Sequence, residues 1–141
     1  MENLKSIPPA VAALIPAAQL KATQKNLWEY TSEIKRLETS LHKCPKIGET
    51  DGMKEHPAIF HYFYGATDFY ICEYDGKELM FGFAILAGDL PNSEWGYFSL
   101  SELSGNDSLN IDYYWVDKSI EAALYNAYPK YFKMPMSILG K

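Results

Sequence analysis

The side chains able to do chemistry are few and scattered: His42, Cys44, His56, His61, Cys72, Ser99, and the carboxylates of Glu73 and Glu78. His42-Lys43-Cys44 sets two metal-ligand types close together, and His56 and His61 follow. A structural zinc site takes four ligands, usually in paired short spacings such as C-x2-C or H-x3–5-H. Here His56 and His61 sit five residues apart across Pro57, and Cys72 falls on a different strand face from Phe69. No metal and no other cofactor is expected. Ser99 follows Gly96-Tyr97-Phe98, which is not the G-x-S-x-G elbow of a hydrolase nucleophile. Cys72 lies mid-strand and reads as a small buried apolar residue. His61 has Asp68 and Glu73 within reach, but strand alternation sets it beside Ile59 and Phe63, the setting of a satisfied strand histidine rather than a general base. Glu73 and Glu78 could share acid–base work in a dry pocket; at a hairpin tip they read as solvated. Gly82, Gly88 and Gly96 are strand and turn glycines, not a phosphate loop. No catalytic residue is nominated, and an enzyme with an unrecognised site stays an alternative.

The elements that must position these residues follow from periodicity. Ala17 to about Lys43 holds no Gly or Pro, and Leu20, Leu27, Ile34 and Leu41 recur every seven residues, with Tyr30 and Leu37 between them. That predicts one amphipathic helix of roughly 27 residues, about 40 Å long. Its stripe serves its own domain or, in a second reading, a coiled-coil dimer. Ala58–Tyr64, Asp68–Tyr74 and Lys77–Leu86 are rich in aromatic and β-branched residues and read as strands. Asp75-Gly76 predicts a two-residue hairpin turn. That turn would pair Tyr74 with Lys77, Glu73 with Glu78, Ile71 with Met80 and Phe69 with Gly82. Glu94–Phe98 reads as a fourth strand and Leu109–Trp115 as a fifth. Ser99 to Glu102 has capping-box spacing, and Asp117 is placed to cap a helix from Lys118 to Ala127. Both sheet faces are apolar away from the turn, so both need cover. The expected fold class is α+β: a mainly antiparallel four- or five-stranded sheet with a long N-terminal helix and a C-terminal helix packed on it. The 141 residues suit a single domain.

Charge divides the chain. Residues 1–54, a helical segment and linker, carry net +2; residues 55–117, the sheet, carry one cation, Lys77, against eleven acids, net -10; residues 118–141 carry net +3. Fifteen of the 21 aromatics fall between residues 60 and 115. Aromatic stacking platforms for single-stranded nucleic acid need a basic groove beside them, so direct nucleic-acid binding through the sheet is not expected. The apolar run from Ile7 to Ala18 is broken by Pro8, Pro9 and Pro16 and is too short to span a membrane. It also makes a poor signal peptide. Two cysteines in unlike settings suggest reduced thiols. A cytoplasmic protein without membrane contact is expected.

The segments Phe69-Tyr70-Ile71-Cys72-Glu73-Tyr74-Asp75, Phe81-Gly82-Phe83 and Gly96-Tyr97-Phe98-Ser99-Leu100-Ser101-Glu102-Leu103 together resemble the bacterial family known as domain of unknown function 2958. The likeness covers roughly residues 57–115, and the last segment is the most specific. The resemblance implies a bacterial cytoplasmic protein of a plasmid or conjugative element. It implies no activity, ligand or catalytic residue.

These observations point to a non-enzymatic accessory protein that acts by protein–protein interaction, with another protein or by self-association through the N-terminal helix. The alternative is an acidic DNA mimic that inhibits a DNA-binding or restriction protein. Glu73, Asp75 and Glu78 are the candidate partner-binding residues.

Overall fold

The computed structural model describes residues 5–140. Antiparallel strands β2 (Phe60–Tyr64), β3 (Thr67–Tyr74), β4 (Leu79–Ile85), β5 (Glu94–Ser99) and β6 (Asn110–Ile111) form a five-stranded sheet in the order β5-β4-β3-β2-β6. A separate two-stranded ribbon pairs β1 (Pro57–Ala58) with β7 (Lys118–Ser119). The α+β class and the antiparallel sheet agree with the periodicity of the sequence.

The long N-terminal helix does not form. The chain makes α1 (Pro9–Ala12), α2 (Ala17–Lys25), a 3-10 turn over Leu27–Tyr30, and α3 (Thr31–Lys43). The break falls at Asn26, whose φ of -133° and ψ of 45° are not helical. Its physical reason lies at Thr23, the polar residue in the stripe. Thr23 is buried, and its hydroxyl meets both the Gln19 carbonyl and the Tyr113 hydroxyl. Tyr113 ties α2 to the sheet side, and the turn at Asn26 redirects α3 across it. The expected stripe is nevertheless used: Ile34 and Leu37 are buried, and Leu20, Leu27, Tyr30 and Leu41 pack against the same core.

The sheet separates two cores. On one face Phe60, Tyr62, Ile71 and Met80 meet α1–α3 and α4 (Leu100–Ser104). The buried Tyr62 hydroxyl donates to the Leu14 carbonyl. On the other face Tyr70, Cys72, Phe83 and Ile85 meet α5 (Ile120–Ala127) through Ile120, Ala123 and Leu124. Both faces are thus covered, as two apolar faces require.

The hairpin register differs from expectation. Tyr74 pairs with Met80, Glu73 with Phe81, and Ile71 with Gly82, with a bulge at Cys72. The loop is Gly76-Lys77-Glu78, one residue longer than a two-residue turn, closed by Asp75 N–H donating to the Leu79 carbonyl at 3.0 Å. Asp75 Oδ1 accepts from the amides of Lys77, Glu78 and Leu79, and that carboxylate-centred turn outcompetes the tighter one. The bulge has a further effect. Alternation alone would set Cys72 and Glu73 on opposite faces, whereas an extra residue puts both on the α5 side.

Two other expectations are corrected. The fifth strand is only Asn110–Ile111, because Asp112 Oδ1 accepts from the Tyr114 amide and turns the chain. The cap of α5 is Ser119, whose Oγ accepts from Ala122 N–H, while Asp117 binds Lys43 at 2.6 Å. Lys118 and Ser119 are held extended by β1, so the helix cannot start at residue 118.

Candidate functional site

The three nominated carboxylates do not share a surface. Glu73, expected to face water, is 1% exposed. It accepts from the amides of Gly48 and Thr50 at 2.7 and 3.0 Å, and from the Thr50 hydroxyl. The loop after α3 is thereby fastened to β3. Asp75 is exposed but committed to its own turn, and Glu78 Oε1 accepts from the Ser101 amide at 2.6 Å, anchoring the start of α4. Hydrogen bonds from the Glu78 and Lys77 amides hold Asp75 below the usual carboxylate range, and bonds from Ser101 do the same for Glu78. All three are structural acceptors pointing to three different backbone segments. The Ser99 hydroxyl accepts from Glu102 N–H at 3.2 Å, as the capping-box spacing implied, and also meets Glu78 and Ser101.

His61 is 11% exposed at its side chain and lies between two carboxylates, with Nε2 2.7 Å from Asp68 and Nδ1 3.3 Å from Asp112. Its ring stacks on Tyr70 at 4.8 Å and leans on Trp115 at 4.7 Å. Asp68 was legible as its partner. Asp112, fifty-one residues away, was not, and Glu73 has turned elsewhere. With both ring nitrogens occupied and aromatic rings beside it, His61 cross-links β2, β3 and the turn after β6. His56 binds Glu121 twice, through its amide at 2.7 Å and Nδ1 at 2.8 Å, and its ring lies 4.5 Å from Trp95. His42 is exposed in the last turn of α3. Burial pushes the thiols of Cys44 and Cys72 up to about 12, which removes their nucleophilic form at neutral pH. Among the described residues, no group of three His, Cys, Asp or Glu side chains is arranged to hold a metal ion.

A groove of about 570 Å3 runs between the end of α3, the β1–β7 ribbon and Ser137, which lies in α6 (Met136–Leu139). Its polar groups are already matched. Lys43 binds Asp117, while Glu55 accepts from the Ser119 hydroxyl and from the amide and hydroxyl of Ser137. Those serine contacts, Ser119 first, hold Glu55 below the ordinary carboxylate range. Neither His61 nor Ser99 lines this groove.

The remaining feature is the β5 edge. The sheet's two margins are treated differently. At β6, the Gln19 side chain clamps the outward backbone of Ile111, donating to its carbonyl at 2.9 Å and accepting from its amide at 2.8 Å. At β5, no strand of the described residues lies outside. Leu100 N–H donates inward to the Glu78 carbonyl. Antiparallel alternation then turns the amides of Phe98, Gly96 and Glu94 inward and those of Trp95 and Tyr97 outward. The side chains at these two positions are 36% and 62% exposed. They extend an aromatic row along β4 and β5: Phe81 lies 5.0 Å from Tyr97 and 5.8 Å from Trp95, and Phe83 lies 5.3 Å from Trp95. No Lys or Arg occurs between residues 78 and 117, while Glu78, Glu94 and Glu102 flank the row. The sequence marked Trp95 and Tyr97 only as strand residues; which margin of the sheet stays open is a matter of topology.

The fold and this margin define an α+β architecture in which, among the described residues, one sheet edge is closed and the other open. Comparison with protein-family models, with curated proteins and with solved structures gave no match.

Proposed function

We propose that the chain is a non-enzymatic accessory protein that works by binding another protein, and that β5 is the binding element. The carrying observation is the outward backbone of Trp95 and Tyr97 on a margin with no neighbouring strand among the described residues, beside exposed aromatic rings. An extended segment of a partner can add to such an edge by main-chain hydrogen bonds and place alternate side chains against the aromatic row. The acidic side chains Glu78, Glu94 and Glu102, in a stretch from residue 78 to 117 that holds no Lys or Arg, favour a basic partner. The resemblance to the domain of unknown function 2958 family over residues 57–115 supports a plasmid or conjugative element of a bacterium, and its cytoplasm, as the setting. No helix of the described residues is long and apolar enough to cross a membrane. The use of Glu73, Asp75 and Glu78 as internal acceptors weighs against a DNA mimic built on those three residues.

The test is to purify the tagged full chain from a bacterial host, identify the bound protein, and rebuild the pair from pure components. Hydrogen exchange slowed at residues 94–99, and binding lost in Tyr97→Asp, are expected. Protection confined to other elements, or no protein bound in any host tested, would overturn the assignment.

A further inference from the structure

Beside β5 the second sheet face holds a cavity of about 240 Å3 lined by Phe83, Trp95, Glu121, Leu124, Phe132 and Lys133. Its size is below the roughly 300–1,000 Å3 of sites for drug-sized ligands, so it suits a single side chain or head group. Its walls have a particular chemistry. The planes of Trp95 and Phe132 stand at 78° and 82° to Phe83, with ring centroids 5.3 and 5.9 Å away. Three rings at such angles form walls facing different directions, and aromatic faces carry negative potential. Glu121 adds a carboxylate. His56 takes one bond to each of its oxygens, and each oxygen keeps a further lone pair. Rings at right angles plus a carboxylate are the setting in which organic cations are held. Among the described residues, the ammonium seated over a ring is that of Lys118 on Trp115, 4.6 Å from the centroid, so the cavity rings are not served by it. Lys133 is exposed at the rim.

We infer that this cavity binds the cationic end of a lysine or arginine side chain from the partner segment that adds to β5. The inference rests on the strand-addition reading above and deepens it. A strand added beside β5 would run about 4.8 Å from it and turn every second side chain toward the Trp95 face. A four-carbon stem can cross Trp95 and carry its charge toward Glu121, while its methylenes lie on the ring. The Glu121 carboxylate has the sign of the acidic flanks of the edge and selects the same partner chemistry, while the Lys133 ammonium at the rim opposes it.

The probes are a capped heptapeptide, Thr-Val-Thr-Lys-Thr-Val-Thr, its norleucine counterpart, and n-butylammonium chloride against sodium chloride at equal ionic strength. Binding to the full chain is followed by the Trp95 indole N–H resonance, assigned with Trp95→Phe, and by the amides of residues 94–99. The lysine peptide is expected to shift both signals and to bind about tenfold more tightly than the norleucine peptide. Phe132→Leu and Glu121→Gln should each erase most of that difference while the β5 amides still respond, and Lys133→Ala should enlarge it. If Glu121→Gln fails to fold, Phe132→Leu decides. Equal binding of the two peptides, with β5 amides shifting, would overturn the cation site and leave the edge reading standing. Silence of the β5 amides toward both peptides would count against the edge reading itself. A response to butylammonium without any to the peptides would make the cavity a site for free amines and overturn the partner side chain.

Discussion

Thr50 closes Glu73 off from water: its amide donates to Oε2 at 3.0 Å, and its hydroxyl donates to the same oxygen. The contact joins the linker after α3 to the bulged end of β3. Burial alone would raise the Glu73 pKa. The Thr50 hydroxyl, the amides of Gly48 and Thr50, and the nearby His56 outweigh it, and the net shift is downward. A carboxyl with a folded pKa below its unfolded one adds stability above the unfolded value, and that stability is lost as pH falls through the folded value. Glu73→Gln is therefore expected to reduce unfolding free energy by about 1–3 kcal/mol at neutral pH. The gap to wild type should shrink below the ordinary carboxylate range of about 4. Urea titrations across this interval check it; a gap indifferent to acid would show that the ionised carboxylate adds nothing.

Gly82 has a separate reason to be glycine. A Cβ built there would lie 1.9 Å from the carbonyl oxygen of Tyr70 and 2.9 Å from its carbon, both backbone atoms of the neighbouring strand. Strands that approach this closely cannot yield as a flexible side chain can. Gly82→Ala should lower stability by more than about 3 kcal/mol. Gly96, opposite it on β5, has no atom within 4 Å of a built Cβ, and Gly96→Ala should stay within about 1 kcal/mol of wild type. Urea midpoints of the two variants, with the slope held equal, measure the contrast.

What was legible in the sequence was the kind of element, and what was hidden was competition between acceptors. Asp75-Gly76 marked a turn correctly, but its length depended on Asp75 gathering three amides, which a dipeptide signal does not contain. The bulge at Cys72 then reversed the side of Glu73, and with it the reading of Glu73 as solvated. The stripe from Leu20 to Leu41 located the apolar face of the N-terminal segment; Thr23 within it signalled a break only once Tyr113, ninety residues away, was beside it. Ser119 displaced Asp117 as a cap because β1 holds residues 118 and 119 extended. The open margin and the ring-walled cavity join β4, β5, α5 and the segment after it, and no local pattern predicts that meeting.

Gln19 makes its own prediction about the other margin. Its amide group supplies both a donor and an acceptor to Ile111, in place of a missing strand. Gln19→Ala leaves these backbone groups to water. Amide exchange at Ile111 should accelerate, with an overall loss of about 1–2 kcal/mol. Residue-resolved exchange by NMR tests it, and unchanged protection at Ile111 would mean that the clamp does not hold in solution.

The two thiols report on the same loop that covers Glu73. Cys72 Sγ lies 3.8 Å from the Thr50 hydroxyl, and Cys44 lies at the end of α3 where that loop begins. Burial raises both to about 12, so at pH 8 the thiolate fraction is smaller than that of an exposed cysteine by about a thousandfold. Labelling by a disulfide reagent should accordingly be slow in the native chain and fast in urea. Removing the latch separates the two sites. In Glu73→Gln the loop loses its charged acceptor, so Cys72, beneath Thr50, should label faster than in wild type. Cys44, held by α3 and Pro45, should change less. Rates measured by mass spectrometry on each cysteine-containing peptide test this order. Equal acceleration at both sites would point to global unfolding rather than release of the loop, and no acceleration at Cys72 would show that Thr50 stays in place without its carboxylate.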